Sequence, residues 1–412
     1  MTAIDVCTGE GVGVRLVGQA FLTRSRARVS TTFLYDGEYL ASGGMGIDPS
    51  LPTVPGAQHG EGLLGALADS APDRWGRSLI EKAERIRARQ EERSPRRLDD
   101  VDFLLGVSDD TRQGALRFRL AGHEEFLGAP AHVPPLVSLP ELLHASDELT
   151  MGEDSISAVK TLLNTGTTGL GGARPKASVR LEDGSLAMAK FPHPGDQWDV
   201  MAWECLALDL LDRAGVDTPE RRLVRVGERN VLVLRRFDRA PGVARIGYIS
   251  ARTATSTRDG EQGDYADVAE AMRDFSPSLR RDLATLFDRV VASVVLGNTD
   301  DHLRNLGFLG AQGFWTPSPA FDVNPTPDPT RARATSIMGA DTFPDEVGAL
   351  EALGHECGMT STRARERMAR IVEAVSSWRD LARSRGIAGQ EIAAMGESID
   401  VRRSAVDREA RR

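Results

Sequence analysis

The sequence predicts an α+β chain with a strand-rich amino-terminal part and a mostly helical carboxy-terminal half, on three observations. Over the first forty residues "GVGVRLV", "ARVSTTFLYD" and "EYLAS" alternate apolar and polar positions between glycines, the pattern of short strands. "KASVRLEDGSLAMAKF" splits at Asp183-Gly184 into two alternating runs, a hairpin signal that puts Lys190 late in the second strand. Helical spacing dominates afterwards, first in "SLRRDLATLFDRVVASVVLGN" and then at 345–357 and 361–385.

The elements between these follow in order. Ser70 and Pro72 stand near the start of "SAPDRWGRSLIEKAERIRARQEERS", where Trp75, Leu79, Ala83 and Ile86 recur at helical spacing, so a capped amphipathic helix is expected. The proline-rich "GAPAHVPPLVSLPEL", 128–142, reads as a connector, with a boundary near 145. After the hairpin, "DVMAWECLALDLLDRAG" is a helix stopped by Gly215, and "RNVLVLRRFDR" is a strand. The expected organisation is an amino-terminal β-rich domain over 1–145, a strand-pair, helix and strand part over 146–240, and a helical part over 241–412.

Composition narrows the function classes. A chain of 412 residues removes roughly three quarters of its unfolded surface from water and needs no staples. Cys7, Cys205 and Cys357 are scattered, which suits a reducing compartment better than a disulfide framework. No run approaches the ~20 apolar residues that span a bilayer, and "MTAIDVCTGEGVGV" has no secretory pattern, so a cytoplasmic protein without a membrane partner is expected. The net charge of -9 argues against holding nucleic acid by broad electrostatics. The mixed-sign run "RIRARQEERSPRR" at 85–97 reads as a solvated helix face.

The chemistry concentrates in "LGNTDDHLRNLGFL", 296–309. Asp300 and Asn305 are spaced D-x-x-x-x-N, and Asp322 in "SPAFDVNP" follows Asn305 by seventeen positions. This is the spacing of a kinase catalytic loop and its metal aspartate: a base beside the attacking hydroxyl, then an amide oxygen and a carboxylate to hold magnesium over phosphates. Upstream stand the other parts of a phosphotransfer site. The turn "TGTTGLGGARPK", with Gly166, Gly169, Gly171 and Gly172, lets backbone N–H groups approach phosphate, Lys190 neutralises charge, and Glu204 on the next helix is placed to pair with it. Taken singly, these are a flexible loop, a strand lysine and a solvated glutamate. Asp301 rivals Asp300 as the base, but leaves only three residues before Asn305. His302, between Asp301 and Arg304, reads as a brace for the loop and His193 as a turn residue.

These residues resemble the HipA-type toxin kinases of bacterial toxin–antitoxin systems. The likeness rests on "GGARPKA", "AKFP", "WECLALDLLDRAG", "VLRRFDR", "NTDDHLRNL" and "SPAFDVNPTP", with "GALADSAPDRWGR" and "FLLGVSDDTRQGALRF" in the amino-terminal part. The resemblance implies a two-lobed, protein-kinase-like fold and a serine/threonine protein kinase using ATP and magnesium. It makes Asp300 the catalytic base and Asn305 and Asp322 the magnesium ligands, with Lys190 binding ATP. It also sets Gly171, Gly172, Ala173 and Lys176 over the phosphates, and Arg235 and Phe237 in the segment that links the lobes and offers its backbone to adenine. The implied targets are translation components such as aminoacyl-tRNA synthetases, whose phosphorylation arrests growth. The implied partner is a small HipB-like antitoxin, through which alone DNA is reached.

Two departures stand out. Where several members carry an autophosphorylated serine, this chain has Gly169, which leaves Thr165, Thr167 and Thr168 to take that role. Asp322 is followed by Val323 and Asn324, not by the phenylalanine and glycine of eukaryotic kinases. Two other readings stay open: a small-molecule or lipid kinase, since "DDHLRN" also resembles a phosphoinositide kinase loop, and a catalytically idle co-repressor subunit.

Overall fold

The computed structural model describes residues 1–9, 13–25, 28–128, 131–152, 155–166, 174–240, 244–258, 260–311 and 313–412. The chain forms two units, Met1–Gly195 with Val224–Ile249 and Gly310–Gly313, and Asp196–Leu223 with Ser250–Leu309 and Phe314–Arg412.

In the first unit five strands form an antiparallel sheet in the order Ala57–Glu61, Arg28–Tyr35, Arg15–Ser25, Thr2–Thr8 and Leu116–Leu120. Ile4, Val6, Val17, Ala20, Leu22, Phe33 and Phe118 are fully buried, so the two-residue period puts one side of the sheet into a core. "EYLAS", expected as a strand, is instead the single-turn helix Gly37–Ala41, because Asp36 Oδ1 accepts from the Glu38 and Tyr39 N–H groups at 3.0 and 3.1 Å. That local cap overrides a two-residue alternation too short to hold a register.

The amphipathic helix forms over Arg74–Gln90. Its cap is Asp73, whose Oδ1 accepts from Gly76 N–H at 2.8 Å, while Ser70 closes the preceding helix Gly65–Asp69. Trp75 and Leu79 join Leu142, Leu149 and Leu162 from the helices Leu139–Thr150 and Ile156–Asn164. Together they cover Ala177, Val179, Ala187, Ala189, Val231 and Val233 on one face of a second sheet. One core therefore runs across the position where the sequence suggests a boundary near 145. The second sheet is ordered Lys176–Arg180, Leu186–Lys190, Arg229–Arg235 and Arg221–Val226. Its hairpin turns on a three-residue loop: Leu181 O accepts from Gly184 N–H at 2.9 Å, and Gly184 takes φ 79, which a side chain would resist.

The second unit is built on the helix Leu279–Leu296, in which every residue from Leu286 onward is buried, so neighbours surround its last three turns. The helix ends in a Schellman motif: Asn298 N–H donates to Ser293 O at 2.9 Å, Gly297 N–H to Val294 O at 3.1 Å, and Gly297 takes φ 66. A Cβ on Gly297 would lie 2.8 Å from Ser398 Oγ. Ser398 belongs to a helix the sequence reading omits, Gly389–Ala410, which follows the helices Asp345–Gly348, Leu350–Glu356, Ser361–Val375 and Trp378–Ser384.

Candidate active site

The Schellman turn delivers the chain directly into Asn298, Thr299, Asp300 and Asp301. The two aspartates then part. Asp301 is buried, and its Oδ2 accepts from Tyr265 Oη at 2.7 Å, from Ser293 Oγ at 3.2 Å and from Arg333 Nη2. Asp300 is exposed. The rival for the base role is therefore held inside the unit, and the residue favoured by register is the one that faces outward.

Arg333 carries the bracing function that the sequence reading gave to His302. It is 3% exposed, its Nη1 donates to Glu346, and its Nε donates to Thr335 O at 2.9 Å. Glu346 in turn accepts from Arg402 of the final helix. His302 contributes its carbonyl, which accepts from Asn305 N–H at 2.7 Å, whereas its Nδ1 is buried without a hydrogen bond among the described residues. The expected histidine brace is corrected: a permanently charged fork with several donors can hold a carboxylate and a carbonyl at once.

The remaining contacts tie Asn305 to Asp300 directly and link Asp322 to the loop through Asn324 and Asn298. Asn305 Nδ2 donates to Asp300 O at 2.9 Å, which fixes the amide and leaves its oxygen on the opposite branch. Asp322 takes φ 58, a left-handed conformation that costs an aspartate strain and sits at functional loops more often than elsewhere. Asn324 Nδ2 donates to Asp322 Oδ1 at 3.2 Å, and Asn324 N–H donates to Asn298 Oδ1 at 3.1 Å. The carbonyls of Gly297, Thr299 and Asp301 also accept from Thr326 N–H, Ala334 N–H and Thr335 Oγ1. The segment after Asp322 thus wraps the loop at alternate residues. Among the described residues no three His, Cys, Asp or Glu side chains converge as a metal cluster. The Asn305 amide oxygen and the Asp322 carboxylate are hard donors of the kind that suits magnesium completed by phosphate and water.

In the first unit, Lys190 closes its strand and is 4% exposed, opposite Lys176 on one side and Leu232 on the other. Lys176 is 1% exposed, its Nζ lies 2.7 Å from Asp73 Oδ2, and its carbonyl accepts from Trp75 Nε1 at 3.1 Å. Asp73 thus caps a helix with one oxygen and holds the hairpin lysine with the other, a role its sequence context did not signal. Arg235 pairs with Asp183 of the hairpin turn at 2.8 Å, and Phe237 lies against Tyr248 with ring centroids 6.4 Å apart. Next to them burial pushes the Asp238 carboxyl up, but Arg236, Arg239 and the Gly114 N–H more than offset it and hold it well below the usual carboxylate range.

Thr165 is 2% exposed, and its hydroxyl donates to Leu162 O at 2.8 Å. Thr167, Thr168, Gly169, Gly171, Gly172 and Ala173 lie outside the described residues. Glu204 is fully buried in the helix Val200–Arg213 of the second unit, whereas Lys190 belongs to the first. Asp300, Asn305 and Asp322 all belong to the second unit.

The HipA-like C-terminal domain family matches residues 168–379, and the HipA N-terminal domain family matches residues 12–119. No curated protein matches the chain. Among solved structures it is similar to the Shewanella oneidensis MR-1 toxin–antitoxin complex of HipA, HipB and operator DNA, at 13% identity and TM-score 0.67, over 99% of this chain and 96% of that one. It also aligns with the Helicobacter pylori proinflammatory kinase CtkA at 18% identity and TM-score 0.47, over 59% of this chain and 92% of that one. No helix among the described residues is long and apolar enough to cross a membrane. With one domain match spanning half of the chain and a second covering most of the amino-terminal sheet, the chain belongs to the HipA family.

Proposed function

We propose that the chain is a HipA-family toxin that transfers the γ-phosphoryl group of ATP, with magnesium, to a serine or threonine of a protein. The observation that carries this reading is the division of labour in the loop: Asp301 is buried on three donors, and exposed Asp300 stands beside an asparagine anchored on its own carbonyl. In this reading Asp300 accepts the proton of the attacking hydroxyl as the new O–P bond forms and the bond to the ADP oxygen breaks. Asn305 and Asp322 would hold magnesium, which would supply charge neutralisation at the phosphates, and Lys190 offsets the charge of the remaining phosphates. The glycine turn at 171–173 covers the phosphates, with Lys176 held by Asp73 at the start of the strand that follows, Glu204 supports Lys190, and the backbone around Arg235 and Phe237 receives adenine.

The partner class follows the Shewanella oneidensis HipA, solved with HipB and operator DNA. For this chain we propose a small DNA-binding antitoxin, a translation component as target, and a cytoplasmic site of action. The three cysteines suit that site: all are free and buried, and burial pushes the Cys205 and Cys357 thiols up to about 11 and about 12. Phosphoproteomics of cells expressing the native chain beside Asp300→Ala tests the proposal. One or a few serine or threonine sites labelled only by the native chain are expected, together with growth arrest that Asp300→Ala abolishes. Identical phosphoproteomes, or label on lipid or sugar instead, count against it.

A further inference from the structure

We propose that the second unit carries an anion site apart from the Asp300 loop, which binds a small phosphate-bearing ligand through Arg289. A cleft of about 1460 Å³ opens between the first turns of the Leu279–Leu296 helix, Gly215 and Asp217, and residues 357–370. That volume exceeds what a nucleotide-sized ligand needs. None of Asp300, Asn305 or Asp322 lines it.

The chain carries a net charge of -9, yet six arginines and three aspartates line this cleft; Arg363 pairs with Glu366, Arg281 with Asp282, and Arg367 and Arg370 with Asp288, which leaves Arg280 and Arg289 without an ion pair among the described residues. Two of those aspartates are already committed. Asp282 accepts from Arg281 Nε at 3.2 Å and from Ser276 Oγ at 2.6 Å, and Asp288 accepts from Arg367 at 2.9 and 2.8 Å and from Arg370. Only Asp217 is left over, and it lies exposed.

Arg289 is the focus. It is 9% exposed, its Nη2 donates to Ser318 O, and its Nε is buried without a hydrogen bond. Among the described residues no carboxylate lies within ion-pair distance of it, so a largely buried guanidinium in the cleft wall carries a charge that no anion of the protein meets. Burial pushes it down to about 10, and the attraction of Asp217 offsets this only in part. Leaving such a group uncompensated is costly, and an anion entering the cleft removes that cost. A planar fork matches phosphate in bidentate fashion, and exposed Arg280 at the rim, which makes no ion pair among the described residues, adds a second cation that favours a multivalent anion over a single carboxylate. The inference does not depend on kinase activity.

The test is calorimetric titration of the full chain with inorganic pyrophosphate in the absence of magnesium. One site is expected in the native chain and in Asp322→Ala. Affinity should weaken at least tenfold in Arg289→Met. Should that variant not fold, Arg280→Glu decides, since Arg280 is exposed and makes no ion pair among the described residues; the same direction is expected. AMP and a phosphoserine peptide, titrated in parallel, separate a free nucleotide from a phosphorylated protein segment as the source of the phosphate. Absence of binding, unchanged affinity in a folded Arg289→Met or in Arg280→Glu, or loss in Asp322→Ala overturns the inference. The last result would assign the anion to the Asp300 loop.

Discussion

Asp300 and Asp301 are chemically identical neighbours, and what lies behind the loop separates them. Asp301 meets a tyrosine, a serine and an arginine in a buried position, where an anion is worth retaining only if its lone pairs are engaged. Replacing it by asparagine keeps the shape and removes one of the two carboxylate charges that Arg333 faces, leaving Glu346. Asp301→Asn is therefore expected to lower stability by about 2–3 kcal/mol, measured by urea unfolding; a change under about 0.5 kcal/mol would mean the network carries no weight. The D-x-x-x-x-N register in the sequence favoured Asp300, because that spacing is local. Arg333 was not legible, since it meets Asp301 across 32 positions and stands in "TRARAT", where no periodic pattern marks one arginine as buried. Asp73 escaped for the same reason: a helix cap is a local signal, but its second bond reaches Lys176 across 103 positions.

At the scale of elements, Gly297 ties helix to loop. Its positive φ ends the long helix, and the near contact with Ser398 leaves no room for a side chain. Gly297→Ala is expected to cost about 1–2 kcal/mol for the left-handed backbone alone. Hydrogen exchange should show 298–305 opening faster in Gly297→Ala than in the native chain, with the helix Val200–Arg213 less affected; equal protection of 298–305 in native and variant chains would contradict this coupling. The long helix was readable because its apolar residues recur with period 3.6 and a glycine follows. The Gly389–Ala410 helix was missed although Ile392, Met395, Ile399 and Val406 are buried at helical spacing, because Gly396, Ser398, Arg402 and Glu409 share that buried face and dilute the stripe. "EYLAS" misled in the opposite sense, because five residues carry too few alternations to outweigh an aspartate cap.

For the whole molecule, the α+β class was legible because strand patterns and helical patterns fall in different stretches of the chain. The joint core of the Arg74–Gln90 helix and the hairpin was not, since it forms between segments about a hundred positions apart, a separation that hydrophobic patterning does not encode. The central claim is phosphotransfer from ATP by the Asp300 loop. Its most direct test is incorporation of label from γ-labelled ATP into lysate protein by the purified chain, with and without magnesium, beside Asp300→Asn of equal thermal stability. Magnesium-dependent labelling of serine or threonine that falls on the order of a thousandfold or more in Asp300→Asn is expected. Native-rate transfer by Asp300→Asn, or ATP binding by the native chain with no labelled protein, would contradict it.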